Sequence, residues 1–224
     1  MPTALQSGTQ ILYTISTDHI RIRDPFVVAD RASMQYYLFG TTDADPWNGV
    51  GIGFQVYRSR DLKLWSEPEY AFRPPEGFWG TKNFWAPEVH HYEGSWYLIA
   101  SFYAENRHRG VHIFRSGQIT GPYVPISGSP ATPEDWDCLD GTLYIDKDAS
   151  PWQIYAREWI EVENGEIYAQ RLSEDLRHSQ GNPILLCRGS DSDWAGLITT
   201  GTQTGIVTNA PFIYTTDNGK LLLL

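Results

Sequence analysis

The chain has 224 residues, 41% of them hydrophobic and 14% aromatic, enough to bury a substantial core in one large domain. Its 17 basic and 27 acidic residues give a net charge of −10 with no long basic run, which argues against nucleic-acid and polyphosphate partners. No uninterrupted apolar stretch reaches membrane-spanning length, so no membrane partner is expected either.

In chain order, residues 1–14 (MPTALQSGTQILYT) lack the basic and apolar segments of a secretory leader. As written, the chain is expected in the cytoplasm; it is expected to be secreted or periplasmic if a leader was removed. From there on, short runs rich in Val, Ile, Tyr, Phe and Trp are bounded by Gly, Pro, Asp and Asn. They are PFVVAD, QYYLFGT, GFQVYRS, EVHHYEG, SWYLIASFY, GVHIFRS, GTLYID, WQIYA, EIYAQRL and GKLLLL. No segment has the periodicity of an amphipathic helix, and 20 Gly with 14 Pro punctuate the turns, so the fold class is all-β. Cys138 and Cys187 stand in no metal-binding spacing and are expected as free core thiols.

The strands repeat as a sentence. RDPFVVADRASMQYYLFG, WAPEVHHYEGSWYLIASF, LDGTLYIDKDASPWQIYA and TNAPFIYTTDNGKLLLL each place a corner before a strand, a turn and an aromatic strand. A third strand follows the first three, giving a period of roughly 50 to 70 residues, the signature of β-propeller blades around a central channel. A fourth opening near Asn209 leaves only 15 residues, too few for a four-stranded blade. Truncation of a longer propeller is the expected account; the alternative is that the last strands are supplied in a way the sequence does not show. The 224 residues are read as one domain, incomplete in the truncation account.

Blade-opening residues line the channel of a propeller, so Asp24, Glu88 and Asp140 are expected to converge on one pocket. Convergent carboxylates are the equipment of a glycosidase: one activates water, another protonates the leaving oxygen, and a third raises the acid's pKa by like-charge repulsion. Glu88 is expected to accept hydrogen bonds from sugar hydroxyls, or else to stabilise its own turn. Trp47, Trp79, Phe84 and Trp85 are placed in or beside inter-strand loops, where an exposed ring can stack on a sugar face, and Trp85 is the platform expected. Trp96, Trp152 and Tyr37 are read as core. His90 and His91 are adjacent on a strand and point to opposite faces, so no metal site is expected from them.

As a set, RDPF at 23–26, FWAPEV at 84–89 and LDGTLYID at 139–146 resemble the blade openings of glycoside hydrolase family 43. The resemblance runs from about Ile20 to the last residue. It implies a five-bladed β-propeller, present here as about three blades and the start of a fourth. It also implies inverting hydrolysis of terminal α-L-arabinofuranosyl or β-D-xylosyl linkages in a carbohydrate substrate. By match, Asp24 takes the place of the general base and Asp140 that of the aspartate that tunes and orients the acid. The family's acid motif at the fourth opening reads Thr208-Asn209-Ala210-Pro211-Phe212 here, and a carboxamide donates no proton as a carboxylic acid does. Three accounts stay open. Glu158 in AREWIE is the acid, unless it merely forms an ion pair with Arg157 or another surface partner. Asn209 marks an inactivated, sugar-binding propeller. Or the alignment at Asn209 is displaced. An interaction scaffold is a further alternative, one that predicts no convergence of the carboxylates. Family members often hold a structural calcium ion, but this chain is expected to hold none and to need no cofactor. Oligomeric state is left open.

Overall fold

The computed structural model describes residues 11–224, so the leaderless reading of the first residues falls mostly outside the described part. The first sheet contains β1 (Tyr13–Ser16), β2 (Arg23–Asp30), β3 (Gln35–Thr41), β4 (Phe54–Ser59), β5 (Leu64–Ser66) and β6 (Glu69–Phe72). The second is a meander of β7 (Lys82–Tyr92), β8 (Ser95–Ala104), β9 (Arg107–Ser116) and β10 (Val124–Pro125). The third is another, β11 (Cys138–Ile145), β12 (Pro151–Arg157), β13 (Glu166–Leu172) and β14 (Ser179–Arg188). Two hairpins follow, β15 (Ile198–Thr200) with β16 (Gln203–Gly205), and β17 (Ile213–Thr215) with β18 (Leu221–Leu223). Every pairing within these sheets is antiparallel. The fold is all-β, as the strand pattern predicts.

The sheets follow one another face to face, and strand alternation explains how one strand serves two cores. On β8, Leu98, Ala100 and Phe102 join an aromatic cluster shared with the first sheet, whereas Tyr97 and Ile99 join one shared with the third. Phe54, Phe72, Phe84, Phe102 and Phe114 form the heart of the first cluster, with Phe72 and Phe114 centroids 4.4 Å apart and Phe84 and Phe102 4.7 Å apart. On β12, Tyr155 faces the second sheet while Ile154 and Ala156 face the other way, toward Ile213 of the last hairpin. A sheet covered on both faces reads as a near-continuous apolar run, which is what SWYLIASFY is.

His112 sits in the aromatic heart with no exposure, its Nδ1 accepting a hydrogen bond from Trp79 Nε1 at 3.1 Å. Burial pushes its pKa from 6.5 down to about 4. The unfolded chain therefore takes up this proton first, and stability falls as pH drops from about 6.5 to about 4, by about 3 kcal/mol. In melts across that range, His112→Gln is expected to lose less stability than the parent; equal slopes would show that His112 does not set the acid limit.

Several expected placements are corrected. β7 begins at Lys82 rather than at Glu88, so Phe84 and Trp85 lie within a strand and are buried, not on an exposed loop. Trp79 also packs against the aromatic cluster, and Trp47 alone of that set is largely exposed. The strand survives Pro87 because a bulge absorbs it: pairing register shifts between Trp85 and Glu88, as it does between Arg23 and Phe26 and between Leu139 and Thr142. Glu158 lies directly after β12, at the N-terminal boundary of the one-turn helix α1 (Trp159–Val162), an element with too little periodicity to read. Cys138 is buried and Cys187 half-buried, and both are free. Strands β1, β5, β6, β10, β14, β15 and β16 are not among the runs read from the sequence.

Candidate active site

The bulge at each sheet opening carries a residue in the left-handed region: Asp24 at φ +50°, Ala86 at +44°, Asp140 at +53°, and Ala210 at +49° before the last hairpin. Non-glycine residues adopt this conformation at a cost of about 1 kcal/mol or more, and such strain clusters at functional sites. This shared left-handed backbone aligns the four openings. Ala86, not Glu88, matches Asp24 and Asp140, and Glu88 stands two residues further on. The residue equivalent to the two aspartates near the chain end is Ala210, so Asn209 matches Arg23, Trp85 and Leu139.

The equivalence extends to the junctions between sheets. Thr41, opposite Arg23, accepts the Ala86 N–H on its Oγ1 at 3.0 Å and donates its hydroxyl to Asp24 Oδ2 at 3.0 Å. Ser101, opposite Trp85, accepts the Asp140 N–H at 2.8 Å. The corresponding residue opposite Leu139 is Ala156, which has no hydroxyl, and there the Ala210 N–H bonds Asp140 Oδ2 at 3.0 Å. Asp140 thus fills the latch position with its own carboxylate.

A cavity of about 310 Å³ opens at these bulges, walled by Arg23, Asp24, Trp47, Trp85, Leu139, Asp140, Glu158, Trp159 and Asn209, with Ile160, Ile198, Thr200 and Val207 from α1 and the β15–β16 region. It brings Asp24, Asp140, Glu158, Trp85 and Asn209 together. Glu88 is left off the wall and pairs with His90 Nε2 at 2.9 Å, although its charge is felt at Asp140. A roomier groove of about 840 Å³ between the third sheet and the last hairpin is mostly apolar and has Asp146 as its only carboxylate, so it lacks the paired acids of glycosyl transfer.

Burial first, then the charges of Asp24, Glu158 and Glu88, push the Asp140 carboxyl up to about 6, against the opposing hydrogen bond from Ala210. Glu158 is held by Arg109, whose Nε donates to Oε2 at 3.2 Å. Arg157, the partner considered from sequence, binds Glu161 instead, at 2.6 Å. Trp85 is only 9% exposed; its Nε1 donates to the Pro46 carbonyl at 2.6 Å and its ring lies 4.9 Å from that of Trp47. Trp47, 58% exposed with the Arg23 guanidinium 4.7 Å over its ring, offers the accessible aromatic surface of the cavity. Arg23 and Arg109 were missed from sequence; Arg23 adjoins the Asp-Pro corner, whereas nothing local marks Arg109. His90 and His91 diverge, His91 packing on Trp96 at 4.8 Å. Among the described residues no three His, Cys, Asp or Glu side chains group as metal ligands.

Residues 15–224 match the profile of "Glycosyl hydrolases family 43", and the chain belongs to that family. An endo-arabinase structure from Bacteroides thetaiotaomicron VPI-5482 is 43% identical, with TM-score 0.86, over 95% of this chain and 72% of that one. A thermostable family-43 glycoside hydrolase is 26% identical at TM-score 0.68, over 88% and 61% of the two chains. The extracellular endo-alpha-(1->5)-L-arabinanase 1 of Bacillus subtilis (strain 168) is 24% identical over 150 residues, 62% of this chain. The chain spans 44% of that relative's length.

Proposed function

We propose that this chain carries the catalytic centre of an inverting glycosidase of the five-bladed propeller type that cleaves α-L-arabinofuranosyl linkages, with internal arabinan bonds as the preferred target. The observation that carries the reading is the convergence of Asp24 from the first sheet with Asp140 and Glu158 from the third on one cavity wall. The arabinan preference rests on the likeness to the endo-arabinase, and it moves the expected site from terminal to internal bonds.

In this reading Asp24 takes a proton from water as the water's oxygen attacks the anomeric carbon. The bond from that carbon to the glycosidic oxygen breaks, and Glu158 delivers a proton to the departing oxygen. Asp140 sits beside both, and its negative charge above pH 6 favours the protonated form of a neighbouring acid. Trp47 supplies apolar ring surface to a sugar face, with the buried Trp85 backing it. The silent-binder reading leaned on Asn209 as a lost acid. Asn209 lies on the same cavity wall, and an absence of activity that Asn209→Glu restores would favour that reading over Glu158 as the acid.

Proton NMR of linear arabinan digestion tests the proposal. Fresh reducing ends of inverted, β configuration are expected before mutarotation. Retained α ends would overturn the inverting mechanism, and cleavage of xylan with arabinan untouched would overturn the substrate.

A further inference from the structure

We propose that Arg109 is a positioning residue for proton donation, clamping Glu158 in place against the back of Trp85. The inference rests on the reading of Glu158 as the acid.

Arg109, near the start of β9, does not reach the cavity wall, but the two residues it grips both do. Its guanidinium carbon lies 4.1 Å from the Trp85 ring centroid and 5.5 Å from that of Tyr103, while Nε bonds Glu158 Oε2 at 3.2 Å. Side-chain exposure is 12% for Arg109 and 13% for Glu158, so water does little to screen or replace the pair. A second tie runs through Asp137. Its Oδ1 accepts the Arg109 main-chain N–H at 2.8 Å, and its carbonyl accepts the Glu158 main-chain N–H at 2.8 Å. One acidic residue therefore fixes both backbones across two sheets, and the Arg109–Glu158 bond fixes the side chains.

The chemistry favours arginine in this place. A planar guanidinium stacks by its face and donates by its edge at once, which an ammonium does not. Stability is a poor reason for it to be here, because its Nη1 is buried with no partner and buried ion pairs repay their desolvation poorly. Orientation of the acid is the better reason, since a small misplacement of a catalytic group costs up to about 100-fold in rate.

The test uses the whole chain with p-nitrophenyl and phenyl arabino-oligosaccharides, comparing Arg109→Met, Arg109→Lys and Glu158→Gln with the parent. A good leaving group needs little proton donation and a poor one needs it fully. Both Arg109 variants are expected to lose about 10- to 100-fold in kcat on the phenyl substrate and far less on the p-nitrophenyl one, paralleling Glu158→Gln, with KM nearly unchanged. Arg109→Lys keeps the charge and decides the matter where the methionine variant does not fold. Equal losses on both substrates for the Arg109 variants, with Glu158→Gln still discriminating, would overturn this inference and leave the proposed function standing. Glu158→Gln failing to discriminate would overturn the assignment of the acid itself, and the inference with it.

Discussion

Asp24→Asn is expected to lower kcat/KM on arabinan by about 10³-fold while leaving the melting temperature nearly unchanged. The two halves of that result have separate causes. Asparagine tolerates the left-handed backbone that Asp24 adopts and can still accept the Thr41 hydroxyl, so neither the bulge nor the junction is disturbed. What it cannot do is take a proton from water at neutral pH. Reducing-end release at saturating and limiting arabinan, with calorimetry alongside, measures both. Activity within tenfold of the parent would show that Asp24 is not the base.

Asp140→Asn is expected to be less active and more stable at once. Its pKa is raised from 3.8 to about 6, so the folded state disfavours the ionised form relative to the unfolded chain. The sign follows from linkage. Below about pH 3.8 both states are protonated and nothing is lost; between about 3.8 and 6 the unfolded chain releases the proton first; above about 6 the full cost, about 1–3 kcal/mol, is in place. Asparagine has no charge to desolvate and can keep the bond from Ala210, so the variant should gain that amount at pH 7 and nothing at pH 3. Activity should fall by about 100-fold, and the acid limb near pH 6 should disappear from the rate profile. A variant no more stable than the parent at pH 7 would show that Asp140 bears no such strain.

The contrast between Asp140 and Glu88 shows what could be read from sequence. Aromatic strands between Gly and Pro turns disclose the repeating sheets, because a strand buried on both faces must be apolar throughout. Asp24 and Asp140 stand out because Pro25 and Gly141 mark their bulges. Glu88 misleads since Pro87 also marks a bulge, and matching carboxylate to carboxylate hides the fact that the backbone equates Ala86 with the two aspartates. Trp85 misleads for the same reason: a proline looks like the start of a strand, yet the bulge lets β7 run through it from Lys82. Arg109 could not be found at all, since Glu158 is 49 residues away, just past the end of β12, and no local pattern encodes their meeting.

The missing hydroxyl at Ala156 makes the site report on itself. At the first two junctions a neutral Thr41 or Ser101 receives the incoming amide, but the amide proton of Ala210 rests on a group that titrates. Its chemical shift should follow Asp140 through pH 6, and its exchange with solvent should quicken as the carboxylate is neutralised or drawn toward a bound sugar. A single backbone proton, outside the reacting groups, thereby becomes a gauge of the charge at the centre of the cavity.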